Sequence, residues 1–437
     1  MRVVFIIPPS PAGTTINREG AAGLGNRYES AGAFFYPPQL LTTAAAILRE
    51  AGMTPLLLDA TGEQWNLDET LRRVQECRAD VAVVQVSWHD WDTDQAFNRA
   101  LREQFPGLPQ VVVGTVFRQV EYAEAAAGAG QFVVVGEPER ALPAACMQAL
   151  EKGPAVGVVA PARDLAPAHY DADNFLLDLE SLPMPAWDLA PIHRYRALTL
   201  LTSRGCEAGC LYCPYVVGWG TRFRACSPRR AVDELEWLAH TFRPARIIFR
   251  DVGFAHDRDR VVGICEEIRK RRLRVAWECE SRPEYFDTEL LRVMQKAGCV
   301  LVKIGVESTD LDRLVREGRV ANIDAAQNYL KRVEEVIFTC HKIGLRCQMF
   351  VMVGWPGTTE EEIETTAAYI RHLKPHHLTV NAVIMYPGTA WNAPTEREDS
   401  EVVKRHRDML LAQAMKPAAL KRPLWRKVFS RLRRMLG

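Results

Sequence analysis

At 437 residues the chain is long for one ordinary domain and points to two. Hydrophobic residues at 48% and charged residues at 25% describe a well-cored soluble protein, and a net charge of +1 excludes a nucleic-acid-binding surface spread over the whole molecule. The 11 cysteines accompany no secretory signal, because the apolar run Val3–Ile7 is short and stops at Pro8 and Pro9; reduced thiols and a cytoplasmic location are the expectation.

Buried-strand runs alternate with helical stretches from the N-terminus. Val3–Ile7 reads as a strand, Leu40–Ala51 as an alanine-rich helix and Thr54–Asp59 as the next strand. Leu67–Cys77 is amphipathic, Val81–Val86 is β-rich, Thr93–Gln104 is helical, and Gln110–Val113 is a strand ending at Gly114. Tyr122–Ala129 reads as a helix, and the strand Phe132–Val135 runs into Gly136-Glu137-Pro138-Glu139. Short β-rich runs between helices imply an α/β fold, with a Rossmann-like parallel sheet covered on both faces over residues 1–150. Ligands of such sheets gather beyond the carboxyl ends of the strands. Residues 151–195 form a Pro-rich linker in which Pro183 and Pro185 favour an extended path.

A strand expected over Arg196–Ser203 leads into Ser203-Arg204-Gly205-Cys206-Glu207-Ala208-Gly209-Cys210-Leu211-Tyr212-Cys213-Pro214. Three thiolates spaced C-x3-C-x2-C can each bind one iron of a cubane cluster and leave the fourth iron open to a small molecule; ferredoxin-type carriers close all four irons with cysteine. A zinc site wants paired C-x2-C elements or histidines at set spacing, and none accompany these three. Strands and helices then alternate again. Helix Pro228–Thr241, capped by Ser227, precedes strand Arg246–Phe249, which ends in Arg250-Asp251. Helix Asp257–Arg271 leads to strand Arg274–Glu278 and then Cys279-Glu280-Ser281-Arg282. Helix Thr288–Ala297 precedes strand Leu301–Gly305 and Val306-Glu307-Ser308. A helix ending near Gly344, strand Gln348–Val353 closed by Gly354, helix Thr359–Leu373 and strand Leu378–Met385 complete the series. Six strands predict a partial (β/α)6 barrel over residues 196–395, with the site at the carboxyl ends. Residues 396–437 are a short helical, basic tail. Within 421–437, Leu424, Trp425, Val428, Phe429, Leu432, Met435 and Leu436 share one helical face against Lys and Arg, a pattern that suits an anionic bilayer surface or docking on the protein itself.

The cysteine spacing, Tyr212 before the last cysteine and the preceding strand resemble the radical S-adenosylmethionine (AdoMet) enzymes. Tyr36-Pro37-Pro38-Gln39, Leu56-Leu57-Leu58-Asp59-Ala60, Val133–Glu139 and Leu182–Asp188 resemble the subfamily with a cobalamin-binding domain before the radical domain. The resemblance implies a 4Fe–4S cluster on Cys206, Cys210 and Cys213. It implies AdoMet near Tyr212, Asp251, Glu280, Ser281, Arg282, Glu307, Ser308 and Gly354, with Arg282 forked onto the methionine carboxylate. It places cobalamin near Pro8, Pro9, Tyr36, Pro38, Ser87, Trp88, Gly114, Thr115, Gly136 and Glu137. Classical cobalamin folds carry D-x-H-x-x-G after the first strand; Pro8-Pro9-Ser10-Pro11-Ala12-Gly13 holds no histidine, so no histidine ligand to cobalt is expected, His89 being the nearby candidate. A sheet of this build that binds no corrinoid is the alternative. The implied activity is methylation of an unactivated carbon, or of phosphorus, in a small molecule, lipid-like if the tail meets a membrane. A flavodoxin or ferredoxin would supply electrons, and no nucleic acid partner is expected. The rivals are a radical cyclase or rearrangement enzyme that transfers no methyl, and a non-catalytic cobalamin carrier or redox sensor.

Overall fold

Consecutive apolar residues give β1 (Arg2–Ile7) no solvent face: Val3, Val4, Phe5 and Ile6 are fully buried. The computed structural model describes residues 1–30, 32–152, 157–159, 175–176, 178–391 and 400–414. In it β1 pairs in parallel with β4 (Thr54–Asp59) and with β5 (Val81–Gln85). From there the sheet extends through β6 (Gln110–Val113) and β7 (Phe132–Val134) to β8 (Gly157–Val159), all parallel. The order β4-β1-β5-β6-β7-β8 reverses direction at β1, and such a switch point opens a crevice at the carboxyl edge.

The covering helices are α1 (Gln39–Glu50), the single turn α2 (Ala60–Glu63), α3 (Leu67–Cys77), α4 (Trp91–Gln104), α5 (Val120–Gly128) and α6 (Pro138–Lys152). Sequence reading gave no helix after Glu139. Pro138 nonetheless starts α6, where its missing N–H costs nothing, and Leu142, Ala145, Cys146 and Ala149 share one core with Leu41, Ala44, Ala45 and Leu48 of α1. The stretch between β1 and α1 contains an antiparallel ribbon of β2 (Thr15–Asn17) and β3 (Asn26–Tyr28).

The described residues divide into two compact units. The first runs from Met1 to Cys279, with Lys296–Gly298 and the stretch from Met385. Beyond the first sheet it contains β9 (Leu198–Leu200), β10 (Ser203–Arg204), α7 (Tyr215–Trp219), β11 (Arg224–Ala225), α8 (Pro228–Thr241), β12 (Ile247–Phe249), α9 (Arg258–Lys270) and most of β13 (Trp277–Ser281). β12 pairs in parallel with β9 and with β13. The second unit holds α10 (Thr288–Lys296), β14 (Cys299–Glu307), α11 (Leu311–Arg316), α12 (Ile323–Ile343), β15 (Arg346–Val353), α13 (Glu360–Leu373), β16 (His377–Ala382) and α14 (Ser400–Ala414), with β15 parallel to β14 and β16. The strands β9, β12 and β13 of the first unit and β14, β15 and β16 of the second are the six, alternating with helices, that the pattern predicts for a (β/α)6 fold.

Ser227 caps α8 as expected, its hydroxyl accepting the Arg230 N–H at 3.1 Å with Pro228 in the first turn. Three strands differ from the sequence reading. The run Arg196–Ser203 is divided, because Thr202 and Ser203 turn aside to donate to Asp251. The strand expected at Arg274–Glu278 starts at Trp277, after Arg272 turns the chain in left-handed backbone at φ 56°. β16 stops at Ala382, short of Met385. Among the described residues no helix is long and apolar enough to cross a membrane, and the basic stretch 421–437 lies outside the described residues.

Candidate functional site

The cysteine loop hangs from two short strands. β10 and β11 pair antiparallel, Ser203 opposite Ala225 and Arg204 opposite Arg224, so residues 205–223 form a closed loop with a two-residue neck. Gly205 sits at φ 86°, and a Cβ there would lie 1.9 Å from the Arg222 carbonyl oxygen; only glycine lets the two ends approach so closely. The Cys206 N–H donates to the Gly220 carbonyl at 3.1 Å, and the Cys213 N–H to that of Cys210 at 3.3 Å. Cys210 and Tyr212 are buried, while Cys206 and Cys213 are half-buried. Among the described residues no three His, Cys, Asp or Glu side chains converge as one metal ion would require. A cubane asks for something different: three thiolates on one short loop, each reaching its own iron.

Asp251, expected beside AdoMet, is fully buried behind this neck. It accepts the Thr202 N–H at 2.7 Å, the Thr202 hydroxyl at 2.6 Å and the Ser203 hydroxyl at 2.7 Å. Arg260 supports the same corner, donating to the Thr202 carbonyl at 3.0 Å and the Cys226 carbonyl at 2.8 Å. Asp251 thus fixes the path of the chain into Gly205 and Cys206.

Glu137 and Glu139, after β7, reach the neck from its other side. Arg204 donates to Glu139 at 2.6 Å and lies 3.2 Å from Glu137; Arg224 donates to Glu137 at 3.0 Å. Burial works against the Arg204 charge, but Glu139 and Glu137 more than offset it and its pKa is raised; at Arg224 burial prevails over Glu137 and the pKa is lowered. Glu137, read from the sequence as a corrinoid contact, therefore has its carboxylate engaged by two arginines and the Leu176 amide.

At the carboxyl edge of the first sheet, Pro8, Ser87, Gly114 and Thr115 are brought together but covered by the chain itself. Arg18 pairs with Asp94 at 2.6 Å and donates to the Pro8 carbonyl at 2.8 Å; both Arg18 and Asp94 are buried. Ser87 donates its N–H and hydroxyl to the same Asp94, and the Thr115 hydroxyl donates to the Ala22 carbonyl at 2.6 Å. Gly23 and Gly25 pack so tightly on Thr115 and Ser87 that a Cβ would lie 2.5 and 2.9 Å from those side chains. Pro38 is buried at the start of α1, and Gly136, at φ 98°, turns the chain toward Glu137. Pro9, Tyr36 and Trp88 keep partial exposure; Tyr36 lies 4.3 Å under the Arg250 guanidinium, and Trp88 donates to the Tyr122 hydroxyl at 2.9 Å.

The second unit gathers the other expected AdoMet residues. Glu280 and Ser281 are the last two residues of β13, inside the strand rather than after it. Arg282 pairs with Glu284, its Nε donating at 2.7 Å, and donates to the Arg319 carbonyl at 2.6 Å. At the end of β14 a register shift falls between Gly305 and Glu307, and Glu307 takes a left-handed φ of 68°, uncommon for a residue with a side chain. Arg319 donates to the Gly305 carbonyl at 2.6 Å and to the Tyr329 hydroxyl at 3.0 Å, and Tyr329 donates to the same carbonyl. These two residues, which no motif marked, pin the bulge. Burial, opposed by Arg319 and reinforced by Glu280, pushes the Glu307 carboxyl up to about 7. The Ser308 hydroxyl donates to Glu362 at 3.2 Å, and Glu362 is forked by Arg313 at 2.7 and 2.8 Å. Gly354, at φ 81°, would place a Cβ 2.8 Å from Val403, so α14 needs a glycine there.

Comparison with known proteins bears on this geometry. The model of the Radical SAM superfamily matches residues 200–370. An uncharacterized methyltransferase of Pyrococcus horikoshii is 28% identical over 217 residues, 48% of this chain and 46% of that protein. The anaerobic magnesium-protoporphyrin IX monomethyl ester cyclase of Cereibacter sphaeroides is 25% identical over 450 residues, 97% of this chain and 68% of the cyclase. The structure of the radical S-adenosylmethionine methyltransferase TsrM from Kitasatospora setae, with cobalamin and a [4Fe-4S] cluster bound, matches at a TM-score of 0.67 with 18% identity, covering 89% of this chain and 76% of that one. The chain spans less than two thirds of the first three curated relatives it matches, 46%, 38% and 55% of their lengths. Residues 200–370 thus match the Radical SAM superfamily, and the chain shares the fold of a radical S-adenosylmethionine methyltransferase whose structure holds cobalamin and a [4Fe-4S] cluster.

Proposed function

We propose that the protein is a cobalamin-dependent radical AdoMet methyltransferase, acting on an unactivated carbon, or on phosphorus, of a small-molecule substrate. The observation that carries the proposal is the three-cysteine loop, pinned at its neck and placed directly after the first strand of a (β/α)6 fold. In this reading residues 1–150 hold cobalamin, 151–195 link the domains, 196–395 are the radical domain and 396–437 are the tail.

Cys206, Cys210 and Cys213 would hold three irons of a 4Fe–4S cluster, which supplies the electron that cleaves AdoMet, while cobalamin supplies the methyl group. The residues of the chain do the positioning. Asp251 and Arg260 fix the entry to the cysteine loop, and buried Tyr212 keeps water from its inner side. Glu307, near half-protonated at neutral pH, can accept from a ribose hydroxyl or the AdoMet amino group when ionised. Arg282 can fork onto a carboxylate by exchanging Glu284 for it.

Cobalamin meets a supporting feature in the first sheet. The amide oxygens of Gln39 and Gln85, buried at the start of α1 and the end of β5, accept no hydrogen bond, and the primary amides around a corrin ring are donors. Pro9, Tyr36 and Trp88 offer apolar contact at the same edge. Ser87, Gly114 and Thr115 lie under Arg18–Gly25, so they reach a corrinoid once that segment is displaced.

A second reading, radical ring closure without methyl transfer, draws on the cyclase relative, whose alignment takes in 97% of this chain. Product mass separates the two: methylation adds one CH2, and ring closure removes two hydrogens. The founding experiment is anaerobic cluster reconstitution with cobalamin, AdoMet and a reductant, quantifying bound corrinoid and 5′-deoxyadenosine. Retained corrinoid, together with deoxyadenosine formation that is lost in Cys210→Ala, supports the proposal. Deoxyadenosine without retained corrinoid removes methyl transfer, and neither signal in cluster-loaded protein refutes the whole reading. A flavodoxin or ferredoxin is the expected electron donor. Liposome sedimentation with and without residues 421–437 tests the proposed membrane contact; equal binding of both forms ends it.

A further inference from the structure

Arg204 and Arg224 occupy opposite positions on the neck of the cysteine loop, with side chains only 3% and 4% exposed. Two buried cations facing each other would force the neck apart if nothing balanced them. Glu137 stands between them, 3.2 Å from Arg204 Nη1 and 3.0 Å from Arg224 Nη1, and it also accepts the Leu176 N–H at 2.6 Å. Glu139 takes the second Arg204 nitrogen at 2.6 Å. Two guanidiniums and two carboxylates cancel. Trp219 lies 4.9 Å from Arg204, and Phe175 lies 5.0 Å from Arg224, keeping water away from the group.

This group touches the cysteines through one short path. Arg224 Nη2 donates to the Trp219 carbonyl at 2.6 Å; the next carbonyl, that of Gly220, accepts the Cys206 N–H. From the other strand, Arg204 is followed directly by Gly205 and Cys206. A change in how Glu137 holds the arginines therefore reaches the first cysteine from both sides of the neck.

We infer that Glu137 is a positioning residue for the iron–sulfur cluster: it holds the neck closed and sets the local charge that the cluster experiences. The inference rests on the cluster reading of Cys206, Cys210 and Cys213. Reduction adds one negative charge to a cluster, and nearby net charge is one of the terms that fix its potential. In a buried group that effect is weakly screened by salt. With Glu137 neutralised, one positive charge is left in excess and the reduced form gains. With Arg224 neutralised, one negative charge is left in excess and the oxidised form gains.

The test is a redox titration, followed by electron paramagnetic resonance, of the anaerobically reconstituted full chain, normalised to iron content. Glu137→Gln is expected to shift the midpoint potential upward and Arg224→Gln to shift it downward. Glu137→Asp keeps the charge and is expected to stay near the unmodified protein. Opposite shifts cannot arise from a shared loss of stability. Loaded variants that all titrate with the unmodified protein would overturn the inference, even if they melt earlier or hold less iron. If Glu137→Gln takes up no cluster, Arg224→Gln decides by the sign of its shift. Failure of the unmodified protein to take up any cluster would overturn the cluster reading and this inference together, an outcome distinct from a cluster with unmoved potential.

Discussion

Arg204 and Arg224 are register partners across a two-residue ribbon, yet their guanidiniums reach the same carboxylate, that of Glu137. Glu137→Leu leaves both cations buried with only Glu139 as counter-charge, and breaking such a group from one side costs about 3–5 kcal/mol. The double substitution Glu137→Leu with Arg224→Met is expected to recover much of that loss, because Glu139 remains for Arg204. Urea denaturation of the single and double variants checks it; a double variant weaker than the single one would show that Glu137 acts by packing alone.

Stability is expected to fall as pH rises from the mildly acidic range to neutrality. The Glu307 carboxyl stands at about 7 against an ordinary value of 4.5, raised chiefly by burial. Glu234, also at about 7, and Asp59, at about 6, are raised first by burial too. A folded-state pKa above the unfolded one means that the native form holds the extra proton. The contribution is complete below the unfolded value and is lost as pH climbs through the folded value. Denaturation midpoints measured from pH 4.5 to about 7 should therefore decline, and Glu307→Gln should flatten part of that slope. An unaltered slope would mean that Glu307 is ionised in the folded protein.

Periodicity sufficed for most of the architecture, because fully apolar runs such as Val81–Val84 have no other stable place than a buried parallel strand. The cysteine loop was legible because its spacing is itself the chemistry. What the sequence concealed were relations between distant residues. Nothing in Gly136-Glu137-Pro138-Glu139 signals that its carboxylates meet Arg204 and Arg224, and the reading of Glu137 as a corrinoid contact followed from the resemblance of Val133–Glu139 to cobalamin-binding domains. Arg319 and Tyr329 were invisible for the same reason: each meets the Gly305 carbonyl only through the turn of the chain after β14. The covering of Ser87 and Thr115 by Ala22–Gly25 was equally hidden, since a glycine-rich stretch reads as loop whether it is open or packed.

Two glycines in the cysteine loop should respond differently to alanine. Both have left-handed backbone, Gly205 at φ 86° and Gly209 at φ 71°. A Cβ on Gly205 meets the Arg222 carbonyl at 1.9 Å, whereas one on Gly209 meets nothing within 4 Å. Gly209→Ala therefore carries the backbone term alone, about 1–2 kcal/mol. Gly205→Ala adds steric displacement of the neck, for a total of about 2–5 kcal/mol. Iron content after reconstitution is expected to stay high in Gly209→Ala and to drop in Gly205→Ala. Equal iron in both would show that the neck can open without releasing the cluster.

Asp251 distinguishes holding the loop from touching AdoMet. Its oxygens already receive three hydrogen bonds from Thr202 and Ser203, and the residue has no exposed surface. Asp251→Asn keeps the shape, replaces one acceptor oxygen by a donor, and removes the counter-charge 3.8 Å from Arg260. Leaving such buried partners unsatisfied costs about 1–3 kcal/mol. The variant is expected to lose stability and iron together, while AdoMet affinity per loaded cluster stays unchanged. Calorimetric titration of AdoMet into iron-matched samples makes that measurement. A clear loss of affinity at equal iron content would place the Asp251 carboxylate on AdoMet itself and require the Thr202 contacts to break when it binds.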